Sequence, residues 1–150
     1  MDIALTSRAD YTLRAAIGLA KAGPDAGYRK IREIADEMAI PARYTPEILN
    51  LLQRAGIAEA RAGRQGGYRL KRAPAEITVL EIIEAAEGPL VSERCVLSGG
   101  PCHWQDTICA AHPAIEEAGT ALTRALRHHT LQSILKMDER LRSANVQPAN

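Results

Sequence analysis

The stretch IREIADEMAIPARYTPEIL, residues 31–49, decides the fold of this chain. Its first half has apolar residues every three or four positions, the spacing of a short amphipathic helix. These residues are Ile31, Ile34, Ala35 and Met38. The link AIPARY leads to a second helix, predicted over residues 44–55, with Pro46 in its first turn, where a missing N–H costs nothing. Gly56 is a natural terminator for this helix. Two short helices joined by a tight link predict a helix-turn-helix, whose second helix enters the DNA major groove.

The segment that follows, IAEARAGRQGGYRL, predicts two short strands, at about residues 57–61 and 67–70, around a Gly-rich basic turn. A β-hairpin directly after a recognition helix is the wing of a winged helix. Residues 61–72 hold five basic side chains and no acidic one. Residues 1–74 carry thirteen basic and eight acidic side chains, whereas residues 75–150 carry six and ten. A polyanion partner is therefore expected for the N-terminal half only.

Four further helices are predicted around this unit. The first covers residues 7–23, with Ser7 as its N-cap and Asp10 as the acid of a capping box. Its predicted apolar face is Leu13, Ala16, Ile17 and Ala20. A helix over residues 78–88 begins with a Thr78/Glu81 capping box, and TLQSILKMDERLR forms the last helix. Between them, Pro113 opens a long helix over residues 114–128 with a narrow apolar seam, which suits helix–helix dimerisation. The seam is Ile115, Ala118, Leu122, Ala125, Leu126 and His129.

All three cysteines of the chain lie in one Gly/Pro-interrupted stretch, CVLSGGPCHWQDTICAAH, residues 95–112. The N-terminus has no apolar signal segment, and the chain has no run of about 18 apolar residues, so a cytoplasmic location is expected. In that reducing compartment grouped cysteines are more often metal ligands or redox groups than structural disulfides. The stretch therefore predicts a metal, cluster or thiol function for Cys95, Cys102 and Cys109.

Taken in order, these segments resemble the Rrf-type winged-helix transcription regulators, which include the iron–sulfur assembly regulator and the nitric-oxide-sensing repressor of bacteria. The resemblance rests on LTSRADYTLRAA, IREIADEMAIPARYTPEIL, LLQRAGI, GRQGGYRL, ITVLEIIEAAEGPL and the three-cysteine loop before a helix ending near TLQSIL. It covers almost the whole chain. It implies a homodimeric DNA-binding regulator, not an enzyme, whose cysteine loop binds an iron–sulfur cluster (2Fe–2S or 4Fe–4S). The state of the cluster would alter affinity for a pseudo-palindromic operator, with repression as the implied outcome and activation as the alternative.

The fourth ligand of such a cluster is open, because three cysteines leave one of the usual four positions vacant. His112 follows Cys109 by three residues, close enough to reach the same metal. Asp10 matches a carboxylate ligand that the nitric-oxide-sensing repressor takes from the partner subunit, and His103 is a further candidate. The structural alternatives are His112 as the N-cap of the helix opened by Pro113 and Asp10 as a first-turn acid. The chemical alternatives are a Cys₃His zinc site and a thiol switch. Structural zinc usually takes C-x₂₋₄-C knuckles, which this stretch lacks.

Six side chains are predicted to contact DNA, three at the start of the recognition helix and three on the wing. They are Arg43, Tyr44, Glu47, Arg61, Arg64 and Arg69. In the major groove arginine suits guanine and glutamate suits cytosine. The wing arginines are expected to contact phosphates or the minor groove, which predicts an affinity that falls steeply with salt. Unlike the family pattern, Ala62 rather than arginine precedes Gly63, so which wing arginine enters a groove is open.

The prediction is thus a mainly α protein with a small β-hairpin. It has a winged helix-turn-helix DNA-binding domain over residues 1–75, a cluster-binding loop and dimerisation helices over 76–142, and a disordered tail over 143–150. Its expected partners are a double-stranded DNA operator and a second copy, with no membrane and no small-molecule substrate. The alternatives from other classes are a zinc-bound interaction module and an iron–sulfur electron-transfer protein. An electron carrier would need neither a helix-turn-helix nor a basic wing, and no Ser/His/Asp or paired-carboxylate set indicates an enzyme.

Overall fold

The structure is a computed structural model that describes residues 6–23, 26–90 and 108–144. In these ranges it contains six helices and one two-stranded antiparallel sheet. The helices are α1 (Ser7–Lys21), α2 (Ile31–Glu37), α3 (Thr45–Arg54), α4 (Val79–Glu87), α5 (His112–His128) and α6 (Leu131–Ala144). The strands are β1 (Ala58–Arg61) and β2 (Gly67–Leu70), followed by a 3₁₀ turn at Pro74–Glu76. The fold class is confirmed, because a β-hairpin directly follows the helix-turn-helix of α2 and α3.

Helix α2 ends in a Schellman motif, which produces the tight turn into α3. The Ile40 N–H donates to the Ala35 carbonyl at 2.9 Å, a bond that satisfies a carbonyl left free at the helix end. The residue that reverses the chain there is Ala39, with a φ of 51°. Helix α3 closes with the same motif around Gly56, whose φ is 70°. Alanine is strained in this left-handed conformation and glycine is not.

One aliphatic core contains residues from both the first helix, α1, and the last helix, α6. Its fully buried members come from α1, α2, α3, α4, α6 and the segments just before β1 and α4. They include Ala16, Ile34, Leu49, Leu52, Ile57, Ile77, Ile82 and Leu131. Helix α1 contacts α3, α4 and α6, so it lies in the middle of this arrangement. The functional division of the chain near residue 75 stays a prediction.

The start of α1 differs from the sequence prediction. Its N-cap is Thr6, not Ser7, and the Thr6 hydroxyl accepts the Ala9 N–H at 3.3 Å. The same hydroxyl donates to the Glu87 carboxylate at the end of α4, a contact distant in sequence that favours Thr6 as the cap. The buried face is also rotated, and Leu13 and Ile17 are only partly buried. That face consists of Ala9, Thr12, Ala15, Ala16, Gly18, Leu19 and Ala20. It is broader than predicted because α1 is contacted by α2, α3, α4, α6 and β2.

The C-terminal helices follow the prediction with small changes. The Thr78/Glu81 capping box is confirmed, with the Glu81 N–H donating to the Thr78 hydroxyl at 3.2 Å and the Thr78 N–H to the Glu81 carboxylate at 2.8 Å. Helix α6 runs two residues beyond the predicted end, so Ser143 and Ala144 are helical rather than part of the tail. The Ser143 hydroxyl donates to the Glu139 carbonyl, one turn earlier, at 2.8 Å. Residues 145–150 lie outside the described residues.

Helix α5 begins at His112, with Pro113 in its first turn as predicted. None of its 17 residues is buried in the single chain. Along the predicted seam, Ile115 and Leu126 are half-buried, and Leu122 is 39% exposed. An apolar seam that its own chain covers only in part is typical of a surface between subunits. No helix in the described ranges has the length and apolar character needed to cross a membrane.

Candidate nucleic-acid interface

The start of α3 lies against the start of α1, and aromatic rings form the contact. The Tyr44 ring stacks on the Tyr11 ring, with centroids 6.1 Å apart and an angle of 23° between the planes. The Arg43 guanidinium lies 4.6 Å from the Tyr44 ring centroid, and the Arg14 guanidinium lies 5.9 Å from the Tyr11 ring centroid. Rings and guanidinium groups in these positions attract one another. Helix α1 therefore contributes to the surface through which Arg43 and Tyr44 were predicted to contact DNA.

Glu47, the third predicted residue of the recognition helix, also faces α1. Its carboxylate lies 3.6 Å from the Arg8 guanidinium, and the side chains are 62% and 49% exposed. An ion pair this exposed contributes at most about 1 kcal/mol, so both groups remain available to a ligand. A groove of about 400 Å³ runs between the two helix starts, with Arg8, Tyr11, Arg43, Tyr44 and Glu47 in its lining.

Arg8 and Tyr11 were missed as interface residues by the sequence prediction. The signal was present, since the two residues are three positions apart and share one face of a helix. The spacing of residues within α1 does not predict which helix lies beside it, so its contact with the start of α3 was missed.

The wing is a hairpin to which a third segment is attached. Strands β1 and β2 pair from Ala58↔Leu70 to Arg61↔Gly67. Beside β2, Arg29 exchanges two backbone hydrogen bonds with Tyr68, at 2.8 and 2.9 Å. A Cβ atom at Gly67 would lie 2.1 Å from the Arg29 carbonyl oxygen, so only glycine allows this approach. Gly67 is therefore needed for the packing of the Arg29 segment against β2.

The three predicted wing arginines have different surroundings. The Arg69 guanidinium is 2.6 Å from the Glu59 carboxylate and 4.7 Å from the Tyr28 ring centroid. Arg61 lies 5.9 Å from the same ring centroid. The hydrogen bonds from Arg69 and from the Tyr28 hydroxyl lower the pKa of Glu59, and the bond to Glu59 raises the pKa of Arg69. Arg64 is exposed at the tip and makes no ion pair within the described ranges.

The cysteine stretch is described only at its end. Cys95, Cys102 and the candidate His103 lie outside the described residues. Cys109 is half-buried just before α5, and its sulfur accepts the Ala111 N–H at 3.4 Å. The thiolate is the form of cysteine that binds metals.

His112 and Asp10, the two candidates for a fourth ligand, are both partly exposed. His112 does not cap α5, so that alternative is wrong. Ala111 holds the N-cap position, and the His112 imidazole lies 3.7 Å from the Glu116 carboxylate. Asp10 is bound by Arg14 through two contacts, at 3.0 and 2.9 Å.

Cys109 and His112 bring a thiol and an imidazole within one turn of chain, and iron–sulfur clusters accept both as ligands. The donor types therefore fit a cluster. The described residues contain no group of three or more metal-binding side chains.

A helix-turn-helix followed by a basic hairpin, with the start of its second helix exposed, defines a winged-helix DNA-binding protein. The Rrf2 family model, described as "Iron-dependent Transcriptional regulator", matches residues 5–137. The chain belongs to this family, which confirms the resemblance seen in the sequence and places the protein among transcription regulators rather than enzymes.

Relatives and solved structures agree with this assignment. The chain is 28% identical over 139 residues to the HTH-type transcriptional regulator NsrR of Halalkalibacterium halodurans, covering 93% of this chain and 94% of that protein. T. potens IscR superposes with a TM-score of 0.75 at 23% identity, covering all of this chain and 95% of the other. CymR, the global cysteine regulator of B. subtilis, superposes with a TM-score of 0.75 at 24% identity, covering 91% and 98%. The two structures share the fold of this chain.

Proposed function

We propose that this protein is a homodimeric repressor whose affinity for a pseudo-palindromic DNA operator is controlled by an iron–sulfur cluster held by Cys95, Cys102 and Cys109. The observation that carries the proposal is the position of Cys109. Its partly exposed sulfur accepts an N–H at the start of α5, the helix that has no buried residue in the single chain. A group bound there is next to the surface through which two subunits would meet. A cytoplasmic location belongs to the same proposal.

DNA is contacted by two surfaces of the winged helix. Arg43, Tyr44 and Glu47 read base edges in the major groove, since they lie together at the exposed start of α3. Arg61, Arg64 and Arg69 contact phosphates or the minor groove. Arg64 has the least engaged side chain of the three, while Arg69 already has a carboxylate partner in Glu59. Affinity therefore falls steeply with salt, by a slope set by the number of phosphates contacted.

The second copy binds along α5. The seam of Ile115, Leu122 and Leu126 is incompletely covered by the chain itself and provides an apolar surface for the same helix of the partner. A twofold dimer places two recognition helices about one helical turn apart, so the operator has two related half-sites.

The three cysteine thiolates hold the cluster, and His112 supplies the fourth ligand. Asp10 of the partner subunit is the alternative, and it would first have to leave Arg14. When bound, the cluster supplies a group whose oxidation state and integrity respond to the cell, including to iron, oxygen and nitric oxide. Its presence changes DNA affinity only if it stabilises one dimer arrangement over another.

A thiol switch is the second candidate function, and one observation favours it. The Cys109 thiol is free and only half-buried, so oxidants can reach its sulfur. A zinc site made from the same ligands is the third outcome to be distinguished.

The test is an anaerobic purification with a visible absorption spectrum and analysis of iron, sulfide and zinc. The same preparation is assayed for binding to a duplex that the protein selects from a random-sequence pool, before and after exposure to air. We expect a brown protein with matched iron and sulfide and a DNA affinity that changes in air. Cys102→Ala should abolish the colour, and Ser98→Ala in the same stretch should retain it. A colourless protein that takes up no iron on reconstitution contradicts the cluster, while bound zinc or reversible oxidation would identify the alternative.

A further inference from the structure

The Lys30 ammonium lies where three carbonyl groups of the wing turn converge. Its Nζ atom is 2.6 Å from the Gly66 oxygen, 2.7 Å from the Arg64 oxygen and 3.4 Å from the Gly63 oxygen. A lysine ammonium has three N–H donors and no acceptor. Each donor therefore has a carbonyl partner within the protein, and none is left for a phosphate oxygen.

The turn that Lys30 holds is tightly folded. The Gly66 N–H donates to the Gly63 carbonyl at 3.0 Å, just beyond the last strand pair, Arg61↔Gly67. A Cβ atom at Gly66 would lie 2.0 Å from the Arg61 carbonyl oxygen, so the chain passes close to itself here. Carbonyl groups turned toward one point repel each other, and a cation between them removes that repulsion. Hydrogen bonds from an ionised donor are about twice as strong as neutral ones.

Lys30 also belongs to the helix-turn-helix. It precedes Ile31, the first residue of α2, and its backbone N–H donates to the Glu33 carboxylate at 3.1 Å. Its neighbour Arg29 pairs with β2. The Lys30 side chain thus connects the tip of the wing to the beginning of α2, more than 30 residues away in sequence.

We propose that Lys30 is a positioning residue for DNA binding, whose ammonium orients the wing turn relative to the helix-turn-helix so that Arg64 faces DNA. Lys30 itself contacts no phosphate. The role of Arg64 rests on the function proposed above, whereas the hold of Lys30 on the turn does not depend on it.

The first test needs no DNA. Trypsin cleaves after Arg64 when the turn opens, so the rate of cleavage of the 64–65 bond, followed by mass spectrometry, reports on the turn. Lys30→Met should raise this rate roughly tenfold, the effect of losing about one charge-assisted hydrogen bond. Lys30→Arg should raise it less, because a guanidinium can still donate to carbonyls. Lys71→Met, which removes a lysine next to the end of β2, should leave the rate unchanged. An unchanged rate in Lys30→Met overturns the proposal.

The second test measures affinity for the selected duplex over a range of salt concentrations. Lys30→Met should weaken binding roughly tenfold at each concentration without changing the slope of log K against log salt. Arg64→Ala should reduce the slope by about 1.8, because each subunit of the proposed dimer loses one phosphate contact that contributes about 0.9. A slope reduced by about 1.8 in Lys30→Met would identify Lys30 as a phosphate ligand in both subunits and overturn the proposal. If the wild-type protein binds no DNA, the proposed function fails, and the cleavage rate still decides whether Lys30 holds the wing.

Discussion

The Tyr11 ring of α1 stacks on the Tyr44 ring at the start of the recognition helix, with centroids 6.1 Å apart. The first helix of the chain thereby shapes the surface on which base reading is proposed. Arg8 adds a second contact between the same two helices through Glu47. A displacement of the start of α1 would therefore move the start of α3, because two pairs of side chains, Tyr11 with Tyr44 and Arg8 with Glu47, connect the two helices.

Replacing Tyr11 with alanine should weaken operator binding by about three- to tenfold, because an aromatic pair contributes about 0.5–1.5 kcal/mol to the position of its partner. The salt dependence should not change, since Tyr11 carries no charge. Fluorescence anisotropy with a labelled duplex measures both quantities. Tyr11→Phe is the matched control and should bind like the wild type. If the phenylalanine variant is as weak as the alanine variant, the hydroxyl matters and stacking does not.

Replacing Ala39 with glycine should stabilise the protein by up to about 1 kcal/mol. The left-handed conformation costs alanine about 1–2 kcal/mol, and glycine removes that cost. Glycine also loses more conformational entropy on folding, which offsets roughly half of the stabilisation. Chemical denaturation provides the measurement. Ala121→Gly, in the middle of α5, is the control and should destabilise by about 1 kcal/mol. A loss of stability in Ala39→Gly would contradict the strain assigned to the φ of 51°.

Glu81 should make the free energy of unfolding depend on pH. Burial alone would raise its pKa, but hydrogen bonds from the Thr78 N–H, from Arg72 and from the Thr78 hydroxyl together lower it. A carboxyl whose pKa is lower in the folded state contributes its full stability above the unfolded value of about 4.3 and loses it as pH falls through the folded pKa.

Glu81→Gln should therefore lower the free energy of unfolding at neutral pH by on the order of 1 kcal/mol, a typical capping effect, because partial exposure screens the charge. The difference from wild type should disappear well below pH 4. Denaturation curves at several pH values test this, with Glu76→Gln as the control for a nearby acid. A difference that stays constant down to low pH would show that the charge of Glu81 contributes nothing.

Leu122→Asp should convert the proposed dimer to a monomer and weaken operator binding, because it places a charge in the apolar seam of α5. Analytical ultracentrifugation determines the mass in solution. Thr120→Asp lies on the opposite face of the same helix and should stay dimeric. A dimer that survives the Leu122 substitution would mean that the subunits meet elsewhere.

Local patterns in the sequence predicted most of the elements. The capping box of Thr78 and Glu81 placed the start of α4 because both hydrogen bonds form between residues three positions apart. The wing was predicted from its glycines and β-forming residues, and the family was recognised from the resemblance of particular segments, among them GRQGGYRL and ITVLEIIEAAEGPL. The N-cap of α1 was missed, since the cap at Thr6 also depends on Glu87, which is 81 residues away.

By itself, the sequence determined the order and type of the elements, the basic wing and the grouping of three thiols, because these follow from spacing, charge and composition along the chain. Only the tertiary structure decided which side chains meet. It placed Tyr11 and Arg8 beside Tyr44 and Glu47, paired Arg69 with Glu59, and directed the Lys30 ammonium to the carbonyls of the wing turn. Residues that meet between α1 and α3, or across more than 30 residues of chain, leave no repeating pattern in the sequence that would predict the contact. They arise only when the aliphatic core packs α1, α2 and α3 together and fixes the wing beside them.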